Sequence, residues 1–282
     1  MAIDIQHHTV TEKESGVTCQ LAVHYAGNPV HPPVICVHGL TRNAADFYVL
    51  AEQLAEDYYV IMPDVPGRGE SAHLLHPALY NNGFYAMLLA QWLDEQGHHS
   101  LPWIGTSMGG LIGMILAATR RDLIGQMLIN DIGHIIPAAA LAKIKTYVGV
   151  DTEHEDMDVL ATRAEENLRP FGIEDSAILD QFIAASIKEK EEGGYRFNYD
   201  PAIRVAFLDI PDEDADISDI WKLIGCPILV FRGEYSELLP KHIAEQMLQS
   251  KKQIELFEVA GAAHAPSLTT QREIEKIKEW LQ

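Results

Sequence analysis

Short apolar runs alternate with stretches of helical spacing along the first half of this chain. Residues 33–37 (PVICV), 58–63, 101–104 (LPWI) and 126–130 are compact and almost continuously apolar. That is the pattern of strands buried on both faces. Between them, 44–56, 80–96 and the stretch from Leu111 to Leu116 place apolar residues at helical spacing. A β-α-β alternation with short connections predicts a parallel sheet covered by helices on both faces. Ahead of it, 3–10 and 17–25 flank a polar turn containing Ser15-Gly16 and read as an antiparallel pair. After 126–130 the alternation breaks. The spacing there predicts helices over 138–148, 157–168 and 175–191, the last capped by Asp175 or Ser176 and ended by Gly193-Gly194, and no strand. A strand at 227–231, a helix at 240–249, a strand at 253–259 and an amphipathic helix at 270–281 close the chain. The expected fold class is α/β: a mostly parallel eight-stranded sheet formed by residues 1–133 and 217–282, with 134–216 inserted as a helical lid.

Composition narrows what such a chain does. With 282 residues, 47% of them apolar, it can bury the core of one large α/β domain with an insertion. Its 21 Lys and Arg stand against 41 Asp and Glu, a formal charge of −20. That balance argues against a nucleic-acid or anionic-membrane partner, and against polyanionic substrates unless a local cationic pocket offsets the field. No basic region followed by an apolar stretch opens the chain, so no signal peptide is expected. No run of about 18 apolar residues suggests a membrane span. Cys19, Cys36 and Cys226 lie far apart, two of them in apolar runs, which predicts free thiols and a reducing, cytoplasmic setting.

Chemistry enters at Gly105-Thr106-Ser107-Met108-Gly109-Gly110, between a strand and a helix. Gly-x-Ser-x-Gly in that context is the pattern of a tight turn that projects a serine above the sheet, near the positive end of the next helix. Ligands of an open parallel sheet bind at the carboxyl ends of its strands. Those ends carry His38-Gly39, Asp64, Ser107, Asp131, Arg232 with Glu237, and His264. A nucleophile, candidate acids and a base therefore fall on one edge, in the chain order Ser, acid, His.

With HGLTRN, DVPGRGES, GTSMGG, NDIG, FRGEYSELLP and AGAAHAP in succession, the sequence resembles the α/β-hydrolase superfamily, in its lid-bearing, esterase-like branch. The resemblance covers the core and not the lid. It implies Ser107 as nucleophile, His264 as base, and the backbone amides of Leu40 and Met108 as the oxyanion hole. The usual Gly-x-Gly-His is here Gly261-Ala262-Ala263-His264. The acid has two candidates. In most of the superfamily it follows the strand here at 227–231, where this chain offers Glu234 and Glu237 but has Ser236 at the position of the usual Asp. In a subgroup of esterases it follows the strand after the elbow helix, where Asp131 stands, and Asp131 is preferred. Arg42 is either a loop-bracing residue or a ligand for a substrate carboxylate.

Other chemistries find no support. Asp212, Asp214 and Asp216 resemble the start of a calcium loop, but Ile217 and Leu223 occupy the positions that need glycine and glutamate. Gly105–Gly110 lacks the Lys-Ser/Thr of a phosphate loop, and the histidines lack metal-ligand spacing, so no cofactor and no metal are expected. The expected activity is hydrolysis of a small-molecule carboxylic ester. A thioesterase, a lactonase, a C–C bond hydrolase of a diketone and a ligand-binding module are the alternatives. The lid surface would also be compatible with a homodimer.

Overall fold

The computed structural model describes residues 2–208 and 210–282. The chain enters through a hairpin, β1 (Asp4–Thr11) and β2 (Thr18–Ala26), paired antiparallel from Asp4↔Tyr25 to Thr11↔Thr18. Then β3 (Pro33–Val37), α1 (Tyr48–Leu54), β4 (Tyr59–Pro63), α2 (Asn82–Glu95), β5 (Leu101–Thr106), α3 (Met108–Thr119) and β6 (Ile124–Asn130) alternate as the apolar pattern predicts. The middle segment carries β7 (Ile135–Ile136), α4 (Ala138–Tyr147), β8 (Glu153–His154), α5 (Met157–Leu168), α6 (Ser176–Ala185), β9 (Ile187–Glu189), β10 (Tyr195–Phe197), α7 (Val205–Leu208) and β11 (Ala215–Asp216). The alternation resumes with α8 (Ser218–Leu223), β12 (Ile228–Gly233), α9 (Lys241–Ser250), β13 (Ile254–Val259) and α10 (Gln271–Leu281).

Eight strands form one sheet in the order β1-β2-β4-β3-β5-β6-β12-β13. β2 runs antiparallel to both of its neighbours, and every other pairing is parallel. The chain thus steps from β3 out to β4 and returns past β3 to β5. This reversal opens a crevice at the carboxyl ends of β3 and β5, where such sheets bind ligands.

Side chains of a strand alternate between faces, and here both faces are apolar because both are covered. Val34 and Cys36 pack with Leu50 and Leu54 of α1 and Ile274 and Ile277 of α10. Ile35 and Val37 pack on the other side with Leu88 and Trp92 of α2 and Ile112 and Leu116 of α3. All of them are buried. Each large aliphatic side chain so buried contributes about 1.5–3 kcal/mol, which is why the strands read as continuous apolar runs.

Residues 134–216 depart from the expectation of helices alone. A three-stranded sheet, β8-β10-β9, and a two-stranded pair, β11-β7, lie within it. Strands of two or three residues are too short to show a period of two, so the pattern could not reveal them. The helix expected over 175–191 stops at Ala185, and Ile187–Glu189 turns into β9. Gly193 and Gly194 sit at φ +95° and +77° in the hairpin that joins β9 to β10, rather than closing a helix.

Candidate active site

Ser107 occupies the turn between β5 and α3 at φ +51° and ψ −110°, a conformation that side chains rarely adopt. Its neighbours make the turn possible. A methyl group on Gly105 would lie 2.4 Å from the Gly109 carbonyl oxygen, and one on Gly109 would lie 2.0 Å from that of Val37. Only glycine lets α3 descend onto the strand ends so closely. The Trp103 indole donates to the Gly109 carbonyl at 3.0 Å and holds the turn from beneath.

His264 lies on the loop between β13 and α10. Its Nε2 is 2.9 Å from Ser107 Oγ and its Nδ1 is 2.8 Å from Asp131 Oδ2. Asp131, immediately after β6, is fully buried and adopts φ +61°, a region that aspartate tolerates better than most residues. Its Oδ1 accepts the Gly233 amide at 2.9 Å. An ionised carboxylate only accepts, so Nδ1 carries the imidazole proton and Nε2 is left free to accept from the serine. The three side chains form one directed chain of hydrogen bonds.

The alternative acid does not reach this chain. Glu237 is largely exposed and pairs with Lys143 at 2.8 Å. Glu234 accepts the Gly261 amide at 3.0 Å. Ser236, at the position of the usual Asp, accepts the Leu239 amide at 3.0 Å and so closes a turn. The loop after β12 therefore scaffolds the histidine loop: the Tyr235 amide donates to the Ala262 carbonyl at 3.0 Å, and a methyl on Gly233 would strike the Ala263 carbonyl at 2.1 Å.

The loop after β3 lies against the serine. A methyl on Gly39 would stand 3.8 Å from Ser107 Cβ, and Leu40 and Met108 both line the cavity beside Ser107. The first amides of a helix have no intrahelical acceptor, so Met108 N–H is open to a ligand. His38 sets this loop. It is fully buried, its Nε2 accepts the Val65 amide at 2.9 Å, and its Nδ1–H donates to the Gly39 carbonyl at 2.7 Å. Burial pushes its pKa down to about 4, against the upward pull of Asp64, so it is neutral and structural. Asp64 is not a site acid. Burial would raise its pKa, but the His24 contact at 3.0 Å and the Glu70 amide at 2.8 Å hold it below the ordinary carboxylate range.

Arg42 is a brace. Its guanidinium bonds Asp46, the Ser186 hydroxyl and the Phe182 carbonyl, and stacks on the Phe182 ring at 5.5 Å. With these bonds made it is poorly placed to receive a substrate carboxylate.

Two supporting residues escaped the motif reading. Asn130 accepts the Ser107 amide on its carbonyl at 2.9 Å, while its Nδ2 donates to Thr106 Oγ1 at 3.1 Å and to the Pro266 carbonyl at 2.8 Å. It ties the serine turn to the histidine loop. Glu273 forms a capping box with Thr270 and receives the Leu268 amide at 3.2 Å, anchoring the far end of that loop. Burial raises its pKa against the pull of those hydrogen bonds. The Thr-x-x-Glu spacing at 270–273 was the available signal. Nothing marked Asn130 beyond its place before Asp131.

Ser107 and His264 open onto a cavity of about 1190 Å³. Pockets for drug-sized ligands span about 300–1,000 Å³, so this one admits a chain of some length. Its walls are mostly apolar, with Leu111, Ile115 and Ile132 from the core and Leu141, Ile144 and Phe207 from the middle segment, and Lys143, Arg163 and Glu166 also line it. Elsewhere, ligand atoms of Asp94, His99 and Asp122 come within 4.8 Å of one another on the surface. The Arg120 guanidinium already bonds both carboxylates there.

A family model described as the alpha/beta hydrolase fold matches residues 32–270. The chain is 30% identical over 264 residues to the 3-hydroxybutyrate-oligomer hydrolase of Cupriavidus necator, with 90% of each chain covered. Among solved structures it resembles a putative hydrolase from Rickettsia typhi, with a TM-score of 0.88 at 32% identity over 100% of this chain and 99% of that one. An alpha/beta hydrolase from Novosphingobium aromaticivorans superimposes with a TM-score of 0.86 at 29% identity, covering 99% of this chain and 98% of that one.

Proposed function

The chain belongs to the α/β-hydrolase family, and on that footing we propose that it is a serine hydrolase that cleaves a carboxylic ester through Ser107, His264 and Asp131. The observation that carries this reading is the continuous path from Ser107 Oγ through His264 to Asp131, at 2.9 and 2.8 Å, opening onto a largely apolar cavity.

In this mechanism Ser107 Oγ adds to the ester carbonyl while His264 Nε2 takes its proton. Asp131 holds the Nδ1–H tautomer and stabilises the imidazolium that forms. The amides of Leu40 and Met108 receive the developing oxyanion. Collapse breaks the acyl–oxygen bond, and the departing alkoxide takes the proton from His264. Water then enters, gives a proton to His264 and attacks the acyl-enzyme, which returns the carboxylic acid and free Ser107. Residues 134–216 act as the lid, supplying part of the acyl-binding wall and excluding bulk water.

The Cupriavidus relative is named for oligomers of 3-hydroxybutyrate, whose units are joined by carboxylic esters. A short oligoester of a hydroxy acid is thus a natural member of the substrate class, and the cavity is roomy enough for more than one unit. The three free thiols suit a reducing, cytoplasmic setting.

Labelling with a fluorophosphonate probe tests the nucleophile: the native chain should label and Ser107→Ala should not. No label on the native chain, or equal label on Ser107→Ala, overturns the reading. A panel of p-nitrophenyl esters, 3-hydroxybutyrate oligomers, acyl thioesters, lactones and diketones then tests the bond. Esters should turn over fastest. Preferred diketone cleavage would move the chain to C–C bond hydrolysis.

A further inference from the structure

Arg68, in the loop after β4, is 1% exposed and among the largest fully buried side chains of the protein. Among the described residues no carboxylate lies within 4.0 Å of its guanidinium. The hydrogen bonds it makes all go to neutral acceptors. Nε donates to the Leu40 carbonyl at 2.8 Å, and Nη1 to the Pro66 carbonyl at 2.8 Å and the Tyr85 hydroxyl at 2.7 Å. Nη2 meets the Met108 sulfur at 3.5 Å. The cation also faces the rings of Tyr85 at 5.1 Å and Tyr80 at 5.8 Å, and the Tyr80 hydroxyl is spent on Asp200.

A buried charge is normally paired, because desolvation is otherwise uncompensated. This one is not, and it touches the two residues, Leu40 and Met108, whose amides form the proposed oxyanion hole. We propose that Arg68 is a positioning residue for that hole: it holds Leu40 through the carbonyl of the peptide that follows the donor amide, and sets a permanent positive charge behind the site. The matching negative charge appears only when Ser107 adds to the carbonyl. An interaction that strengthens as the transition state forms raises kcat, whereas one equal in ground and transition states does not. The proposal rests on the serine-hydrolase reading and goes beyond it by naming a residue outside the triad and the two donors.

Phenylboronic acid isolates the charge. Ser107 Oγ adds to boron, the serine proton passes to His264, and boron acquires the formal negative charge of the oxyanion. For Arg68→Met, kcat on p-nitrophenyl butyrate should fall about 30-fold, phenylboronic acid affinity should fall by a similar factor, and KM should stay within about 3-fold. Arg68→Lys keeps the charge and loses the fork, so both losses should shrink to about 5-fold. If Arg68→Met is insoluble, Arg68→Lys decides alone, its kcat and boronate affinity falling together at constant KM. Undiminished boronate affinity in the soluble variant, or a loss confined to KM, overturns the proposal. Failure of the native chain to label with fluorophosphonate or to turn over the ester instead sinks the underlying reading.

Discussion

The amide of Gly233, the last residue of β12, donates to Asp131 Oδ1 across the gap to β6, at 2.9 Å. The strand whose following loop carries the acid in most of the superfamily here supplies, from its last residue, a backbone donor that orients the carboxylate after β6. The Asp131 carboxylate is thereby divided, Oδ1 to Gly233 and Oδ2 to His264, with no freedom left to rotate.

Asp131→Asn should therefore lower kcat by about 10⁴, because an amide can donate to Nδ1 and favour the wrong tautomer. Glu237→Gln, which breaks an exposed pair with Lys143, should change kcat less than twofold. Steady-state kinetics on a p-nitrophenyl ester compares them, and the reverse ranking would move the acid to Glu237.

Gly109→Ala should be severely destabilised, by about 3 kcal/mol or more, since the obstructing atoms are backbone and cannot swing aside. The Val37 carbonyl oxygen would be 2.0 Å away and that of His38 3.0 Å. Gly16→Ala is the control, with nothing within 4 Å and φ +67°, and should cost about 1 kcal/mol of left-handed strain. Urea unfolding followed by tryptophan fluorescence measures both, and similar midpoints would contradict the close approach.

Stability should decline on mild acidification through His38. Burial lowers its folded pKa to about 4 from an ordinary 6.5. Between those values the unfolded chain binds a proton that the folded chain refuses, so stability falls as pH drops from about 6.5 to about 4 and this contribution then levels off. It is present in full above pH 6.5. Within the window His38 should add a slope approaching about 1.4 kcal/mol per pH unit. Below it Asp64, whose folded pKa is also depressed, continues the decline. Urea midpoints at a series of pH values should show His38→Gln with a flatter slope; an unchanged slope would refute the assignment.

Arg42→Ala should loosen residues 182–186 from the core. The substitution removes bonds to Ser186 and the Phe182 carbonyl, leaving Asn43, which donates to the Ala185 carbonyl at 2.8 Å. Limited proteolysis should cut near these residues several-fold faster, while global stability falls by about 1–2 kcal/mol. Unaltered cleavage would mean the brace is redundant.

Several features were legible in the sequence for physical reasons that operate locally. Strands covered on both faces must be apolar throughout, so β3, β5 and β12 announce themselves. Gly-x-Ser-x-Gly marks a turn that only glycine allows, and Ser107 and His264 follow from their places at strand ends. Other features had no local signal. The hairpin at Gly193-Gly194 joins strands too short for periodicity. Arg42 and Arg68 look alike as loop arginines, and only the tertiary structure gives one Asp46, Ser186 and Phe182 as partners and the other the Leu40 and Pro66 carbonyls and the Tyr85 hydroxyl.

The sequence by itself determined the alternation of elements and which reactive side chains stand at the carboxyl edge, because hydrophobic period and turn chemistry act over a few residues. Tertiary structure alone decided which carboxylate meets His264. That choice depends on sheet order, which lays β12 beside β6 and brings Gly233 to Asp131 across 102 positions of chain. The cavity walls belong to the same category, since they are built from segments that share nothing in sequence except the space they enclose.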